Sequence, residues 1–461
     1  MNKPTLKRSL KPWHVVMLGL GYMTPMVVFD TFGIASGETN GHVPLAYVIA
    51  LAAMLFTAFS YGKMVRAYPS AGSAYTYTQK TISPHLGFLV GWASLLDYIF
   101  LPMVNILLIQ IYLTAIFPAV PPWIWVVLFV LFVTWVNVKS VKSAADLNTI
   151  FVIYQFIVMA AFVVLAVWVL NDKPPVEGSA WVHPFYASDM SISLLIAGAT
   201  VLCFSFLGFD AVTTYSEETD NPMRTIPLAI FFTALVGGGL FVFTSYFTQL
   251  IFPDVSVFNN PDATAPEISL FAGGKLFQLI FLGASFVGAL ASGLASHASV
   301  SRLLYVMGRD SVLPNKLFGY VHPRWRTPVF NVIITGIVSL AAIFFSLETA
   351  ASFINFGALI AFTFVNLSVI VHYAVRKKEY HTLKDFMSHI AIPLIGAAFV
   401  AVLWYHLEAN SFMLGLVWVT IGFIYLVYLT RMFKVKPAEI REEADLLESE
   451  EGGTDQKSAN A

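Results

Sequence analysis

Apolar runs of about 20 residues, bounded by polar or turn-forming residues, recur about twelve times along this 461-residue chain. That is the length a helix needs to cross a hydrocarbon core of about 30 Å. The runs cover residues 13–37, 43–65, 85–117, 122–138, 147–170, 191–216, 228–251, 272–300, 329–346, 350–374, 388–407 and 411–432. A chain built this way has lipid as its main solvent. Only helices satisfy every backbone polar group there without an edge, and the runs are too long for barrel strands. Charged residues make up 11 % of the chain, against about 25 % in soluble domains. Both a soluble enzyme and a disordered chain are excluded.

The first run follows Lys3, Lys7, Arg8 and Lys11, as the apolar part of a signal peptide would. It is too long for that role, has no small-residue cleavage site, and is expected to be retained. Lysine and arginine then fix the orientation. With both termini cytoplasmic, inner segments hold all of the 26 bases except Lys173 and Lys275. The segment 301–328 is expected to be an inner loop carrying Arg302, Arg309, Lys316, Arg324 and Arg326. Three parts follow: a short cytoplasmic N-terminus (1–12), a helical body (13–432) and an acidic cytoplasmic tail (433–461). Within the tail, the stretch from Pro437 onward holds eight of the 27 acids. One cysteine, Cys203, rules out an internal disulfide. No phosphate-binding glycine loop, His-Glu-x-x-His helix, cysteine-rich metal pattern or aromatic-interleaved basic run is present. The sequence therefore calls for no cofactor, metal, nucleic acid or catalytic constellation.

Three acids fall inside spans: Asp30 in the first, Asp97 in the third and Asp210 in the sixth. Each costs about 2.5–3.5 kcal/mol at a helix centre on insertion scales, so each should face a cavity or a partner. No lysine or arginine lies at comparable depth, which points to a cation pathway. The first span is interrupted at Thr24-Pro25-Met26, because Pro25 removes a backbone donor and clashes with the preceding turn. The sixth carries a weaker breaker in Phe204-Ser205-Phe206-Leu207-Gly208-Phe209-Asp210. Two interrupted helices five spans apart predict an inverted five-plus-five repeat, with the site at the breaks near the midplane. Tyr22, Tyr98, Phe204 and Phe209 flank the acids and are candidates for contacting an ammonium group through their ring faces.

The broken first helix, the loop Tyr68-Pro69-Ser70-Ala71-Gly72-Ser73-Ala74-Tyr75-Thr76-Tyr77, the stretch Phe204 to Asp210 and the segment Glu217-Glu218-Thr219-Asp220-Asn221-Pro222 together resemble the amino acid–polyamine–organocation transporters. The resemblance runs over about residues 10–435, and it implies that the first ten spans form the inverted repeat, 13–170 and 191–374, with 388–432 peripheral. Phe29-Asp30-Thr31-Phe32-Gly33-Ile34, Leu95-Leu96-Asp97-Tyr98 and the stretch from Leu294 to Asp310 are similar, more narrowly, to the bacterial putrescine importers among them. The resemblance implies a gate residue at Phe204 and an acidic coupling residue at Asp210, six positions on. In amino-acid permeases of that family a Gly-Ser-Gly-like turn in the first helix holds the substrate carboxylate. Thr24, Pro25 and Met26 stand there in this chain, and the missing Pro25 N–H impairs that cradle. Some relatives also carry a fifth-span lysine for coupling. Here that span has Gln155 instead, which leaves Asp210, or less directly His297, to carry a proton. Sodium held by first-helix carbonyls and by Ser292 and Ser296 is the alternative.

The expectation is a multi-pass protein of the bacterial inner membrane that imports putrescine or a similar short diamine by alternating access with a proton. Asp30, Asp97, Tyr98, Tyr22, Phe204, Asp210 and Phe209 would bind the amine. The alternative is a proton-coupled permease for cationic or neutral amino acids, or an amino acid/amine exchanger; the oligomeric state is left open.

Overall fold

The computed structural model describes residues 6–172, 181–188, 190–259, 264–345, 347–407 and 409–434. Lys173 and the acidic tail beyond residue 434 lie outside them. Among the described residues there is no strand, only one isolated bridge between Leu10 and Thr219. Eleven helical stretches are long and apolar enough to cross a membrane, and Val329–Phe344 is a shorter apolar one.

Helix breaks, rather than loops, divide the first span. α1 (Pro12–Met23) stops before Thr24, α2 covers Val27–Asp30 and α3 Phe32–Thr39. α4 (Val43–Ala67) returns across the membrane, and the loop after it holds a short helix, α5 (Ser73–Thr81). α6 (Pro84–Ile116), α7 (Pro122–Lys139) and α8 (Val141–Asp172) complete the first half. α8 begins six residues before the apolar run does, in a polar turn that sequence hydropathy leaves outside. The sixth span is α9 (Ile192–Cys203), a 3-10 turn at Phe204–Phe206, and a second 3-10 segment at Ala211–Glu218. α10 (Pro222–Ile251) follows.

α11 spans Ala265–Arg309, well beyond the expected 272–300. Its regular geometry is interrupted at Gly273 and at Gly274, whose φ of +68° suits a residue without a Cβ. The long C-terminal end corrects one expectation: Arg302 and Arg309 are helical, not loop residues. Both are engaged by the end of the sixth span. Arg302 and Glu218 form a fully buried ion pair, and Arg309 grips Glu217 with two bonds of 2.8 and 3.0 Å. Glu217 also accepts from the Ala71 N–H at 3.3 Å. The N-terminal segment joins in through the Ser9 and Leu10 N–H groups, which donate to the Glu218 carbonyl. This end of the protein is closed by charge. Breaking such a buried pair from one side costs about 3–5 kcal/mol.

After a short helix, α12 (Asn315–Phe318), the ninth span is α13 (Val329–Ser339) continued by a 3-10 turn. α14 (Leu347–Val369), α15 (Leu383–Phe386), α16 (Ile392–Tyr405) and α17 (Ala409–Leu429) finish the described chain. α6 sits at the centre, packed against α11 and α14, while α4 packs along α10.

Candidate functional site

At the first break Thr24 has a φ of +54°, and its N–H reaches only the Gly21 carbonyl, at 3.2 Å. The chain turns through Pro25 and restarts when the Val27 N–H donates to the Thr24 carbonyl. The Tyr22 carbonyl accepts from Ser292 Oγ on α11 at 2.9 Å, and Ser292 Oγ in turn accepts from Asn105 Nδ2 on α6 at 2.9 Å. A side chain from another helix thus satisfies a backbone group that the break frees, as a membrane interior demands. Ser296 bonds back to its own turn at the Ser292 carbonyl.

The second break turns on Gly208. Its φ is +118°, and a Cβ there would stand 2.3 Å from Tyr22 Cδ1. Only glycine fits both the backbone and the neighbour, so the two breaks press directly on each other. Just beyond, Asp210 Oδ2 accepts from the Tyr98 hydroxyl at 3.2 Å, and its Oδ1 lies 3.4 Å from the Gly208 N–H. Tyr47 on α4 ties the breaks together from the side, with its hydroxyl 3.0 Å from Thr31 Oγ1 and 3.3 Å from Ser205 Oγ.

The three acids do not share one pocket. Asp97 and Asp210 are both buried and within electrostatic reach of each other. Asp30 is half-buried and lines a separate cavity of about 60 Å³ with Tyr22, Thr24, Asn105, Phe204 and Ser285. α6 gives the spacing. Leu101, Val104, Asn105 and Leu108 face the cavity, whereas Asp97 lies one turn earlier, about 6 Å along the axis from Leu101. Tyr22 forms part of the cavity wall and also stands within reach of both Asp97 and Asp210. It is the partition between the two regions.

Phe204 is the aromatic wall of the cavity, while Phe209 is buried on the side of the pair, packed edge-on to Tyr61 at 6.0 Å. His297 is elsewhere: its Nε2 meets the Val332 carbonyl at 2.8 Å, which holds it in the packing between α11 and α13. Hydropathy alone did not single out Asn105, Ser285 or Tyr61. Asn105 had a readable signal, a polar residue eight positions after Asp97 and so near the same helix face.

The cavity has room for a few waters and is smaller than the roughly 300–1,000 Å³ of small-molecule pockets. A ligand there requires the breaks to move apart. A larger groove of about 520 Å³ between α4 and α10, walled by Val48, Leu51, Phe243 and Phe247, lies on the apolar exterior, where lipid is the natural contact.

Comparison with known proteins agrees with this architecture. The family model described as amino acid permease matches residues 14–436. The low-affinity putrescine importer PlaP of Escherichia coli is 53 % identical over 433 residues, 94 % of this chain and 96 % of the relative. More distant relatives include the methylthioribose transporter of Bacillus subtilis, 27 % identical over 92 % of this chain and 94 % of the relative. The branched-chain amino acid permease BcaP of the same organism is 28 % identical over 93 % and 94 %. With broken first and sixth helices in a body of about twelve helices, the chain belongs to the amino acid permease family of membrane transporters.

Proposed function

We propose that this transporter imports putrescine or a closely related short diamine by alternating access, with a proton as the coupling ion. The observation that carries the reading is the buried Asp97–Asp210 pair, for which no Lys or Arg partner is found among the described residues. Two interacting carboxylates buried together, here linked through Tyr98, the neighbour of Asp97 that donates to Asp210, cannot both hold their charge without a counter-ion. A proton neutralises the pair when no amine is bound, and a substrate ammonium takes its place. Asp30 attracts the dication to the cavity beneath Phe204, and Tyr98 holds Asp210 in position from α6. The break at Thr24-Pro25-Met26 offers no N–H at Pro25, so an amine with no carboxylate suits it. PlaP, the putrescine importer that is 53 % identical, supports the same substrate.

Direction follows from charge. The segregation of lysine and arginine favours a cytoplasmic location for both termini. The ion pairs of Glu217 and Glu218 then close the cytoplasmic end. An interior-negative potential favours entry of a dication by roughly 4.6 kcal/mol per 100 mV. The two interrupted halves, 13–170 and 191–374, are the elements that rock against each other in this account.

The test is uptake of labelled putrescine into proteoliposomes, competed by unlabelled putrescine, arginine and alanine at two pH values, with and without sodium. Putrescine should compete best, an inside-acid pH gradient should stimulate uptake because one proton leaves the pair as each ammonium arrives, and sodium should be dispensable. Transport of alanine or arginine untouched by putrescine would instead identify an amino-acid permease.

A further inference from the structure

Around the second break, the buried oxygens without a hydrogen-bond partner among the described residues include Tyr22 Oη, Tyr61 Oη and Asp97 Oδ1. They come from three different helices, α1, α4 and α6. All three are tied to the second break: Tyr22 presses on Gly208, Tyr61 packs on Phe209 at 6.0 Å, and Asp97 precedes Tyr98, whose hydroxyl donates to Asp210 at 3.2 Å. Leaving one such group unmet is costly, and most buried polar atoms in proteins are satisfied. Three in one cluster, beside a carboxylate pair, indicate that something else satisfies them during the working cycle.

The chemistry of that guest can be read from the cluster. All three atoms can accept a hydrogen bond, and the carboxylates add negative charge. The surrounding walls are aromatic: Tyr61 meets Tyr77 at 6.3 Å, Phe209 at 6.0 Å and Phe362 at 6.2 Å. A primary ammonium has three N–H donors and no acceptor, carries positive charge and is attracted to ring faces. A carboxylate or a neutral hydroxyl fails at least one of these requirements. Building on the reading above, we propose that Tyr22, Tyr61 and Asp97 form a three-acceptor cage for one primary ammonium of the substrate. This station is distinct from the Asp30 cavity, and Tyr61 is a specificity-determining residue. The amine reaches the cage when Tyr22, pressed against Gly208 in this form, swings aside.

The cage predicts how the transporter counts N–H donors. Putrescine and its stepwise methylated forms, from the singly to the triply methylated primary amine end with the other end blocked by acetylation, are compared as competitors of labelled putrescine in proteoliposomes. For the wild type, each lost donor should weaken competition by about tenfold. Tyr61→Phe removes one acceptor. It should raise the KM for putrescine by about tenfold and shrink the penalty for the first methyl group by a similar factor. Tyr22→Phe is the independent second variant and should show the same loss of discrimination. Protein levels and monodispersity in detergent identify a variant that fails to fold, in which case the other variant decides. If both variants raise KM but keep the full penalty for methylation, or leave both quantities unchanged, the cage is wrong. The wider reading fails separately, if the wild type takes up no diamine at all.

Discussion

Asp30 and the Asp97–Asp210 pair set the same functional group in two environments. Asp30 ends a four-residue helix at the wall of a small cavity and is half-buried. Asp97 and Asp210 are buried, ringed by tyrosines, and separated from the cavity by Tyr22. A carboxylate near water attracts a cation weakly and loses that attraction to screening. A desolvated carboxylate pair cannot go without a counter-charge, so what neutralises it controls the state of the protein. On the function proposed above, capture falls to Asp30 and commitment to the pair.

The largest effect should come from the pair. Asp210→Asn or Asp97→Asn should lower kcat/KM for putrescine by about 100-fold or more, since loss of one member of a desolvated charged contact costs 2–5 kcal/mol or more. Steady-state uptake in proteoliposomes measures this. Next comes the partition. Gly208→Ala strains a residue at φ +118° and drives a methyl group into Tyr22. It should lower kcat about tenfold or more while the protein stays in the membrane, in keeping with about 1–3 kcal/mol for a strained backbone position.

Asp30→Asn should be milder, raising KM about two- to fivefold with kcat nearly unchanged, and the effect should fade at high salt. A 100-fold loss there would erase the distinction between the two settings. The smallest change is Ser205→Ala. It removes the 3.3 Å contact to Tyr47, which keeps Thr31 as a partner. Thermal unfolding in detergent should show a loss of about 1 kcal/mol or less, with uptake kinetics preserved.

Much of this architecture was readable from residue order. Pro25 announces the first break because its ring chemistry is local, and the structure ends α1 at Met23, just before it. Gly208 announced the second less clearly, since a glycine in an apolar helix is usually there for packing. Its requirement arises from Tyr22, 186 positions away in the chain. The division of the three acids was not legible. It depends on how far the short turn at Thr24 to Met26 rotates α2 relative to α1, and hydropathy carries no record of that angle. Arg302 was misplaced for a related reason. A helix end rich in serine and arginine reads as a loop, and only the approach of Glu218 from the sixth span shows why α11 continues there. Ser292 is similar: its bond to the Tyr22 carbonyl exists only once α11 crosses the broken helix.

If an ammonium replaces a proton at the Asp97–Asp210 pair, binding must release that proton. Calorimetric titration of the purified transporter with putrescine, repeated in buffers of different ionisation enthalpy, gives the number released by linkage. The wild type and Asp30→Asn should release about one proton per putrescine bound, and Asp210→Asn essentially none. Putrescine binding with no proton release by the wild type would contradict this exchange.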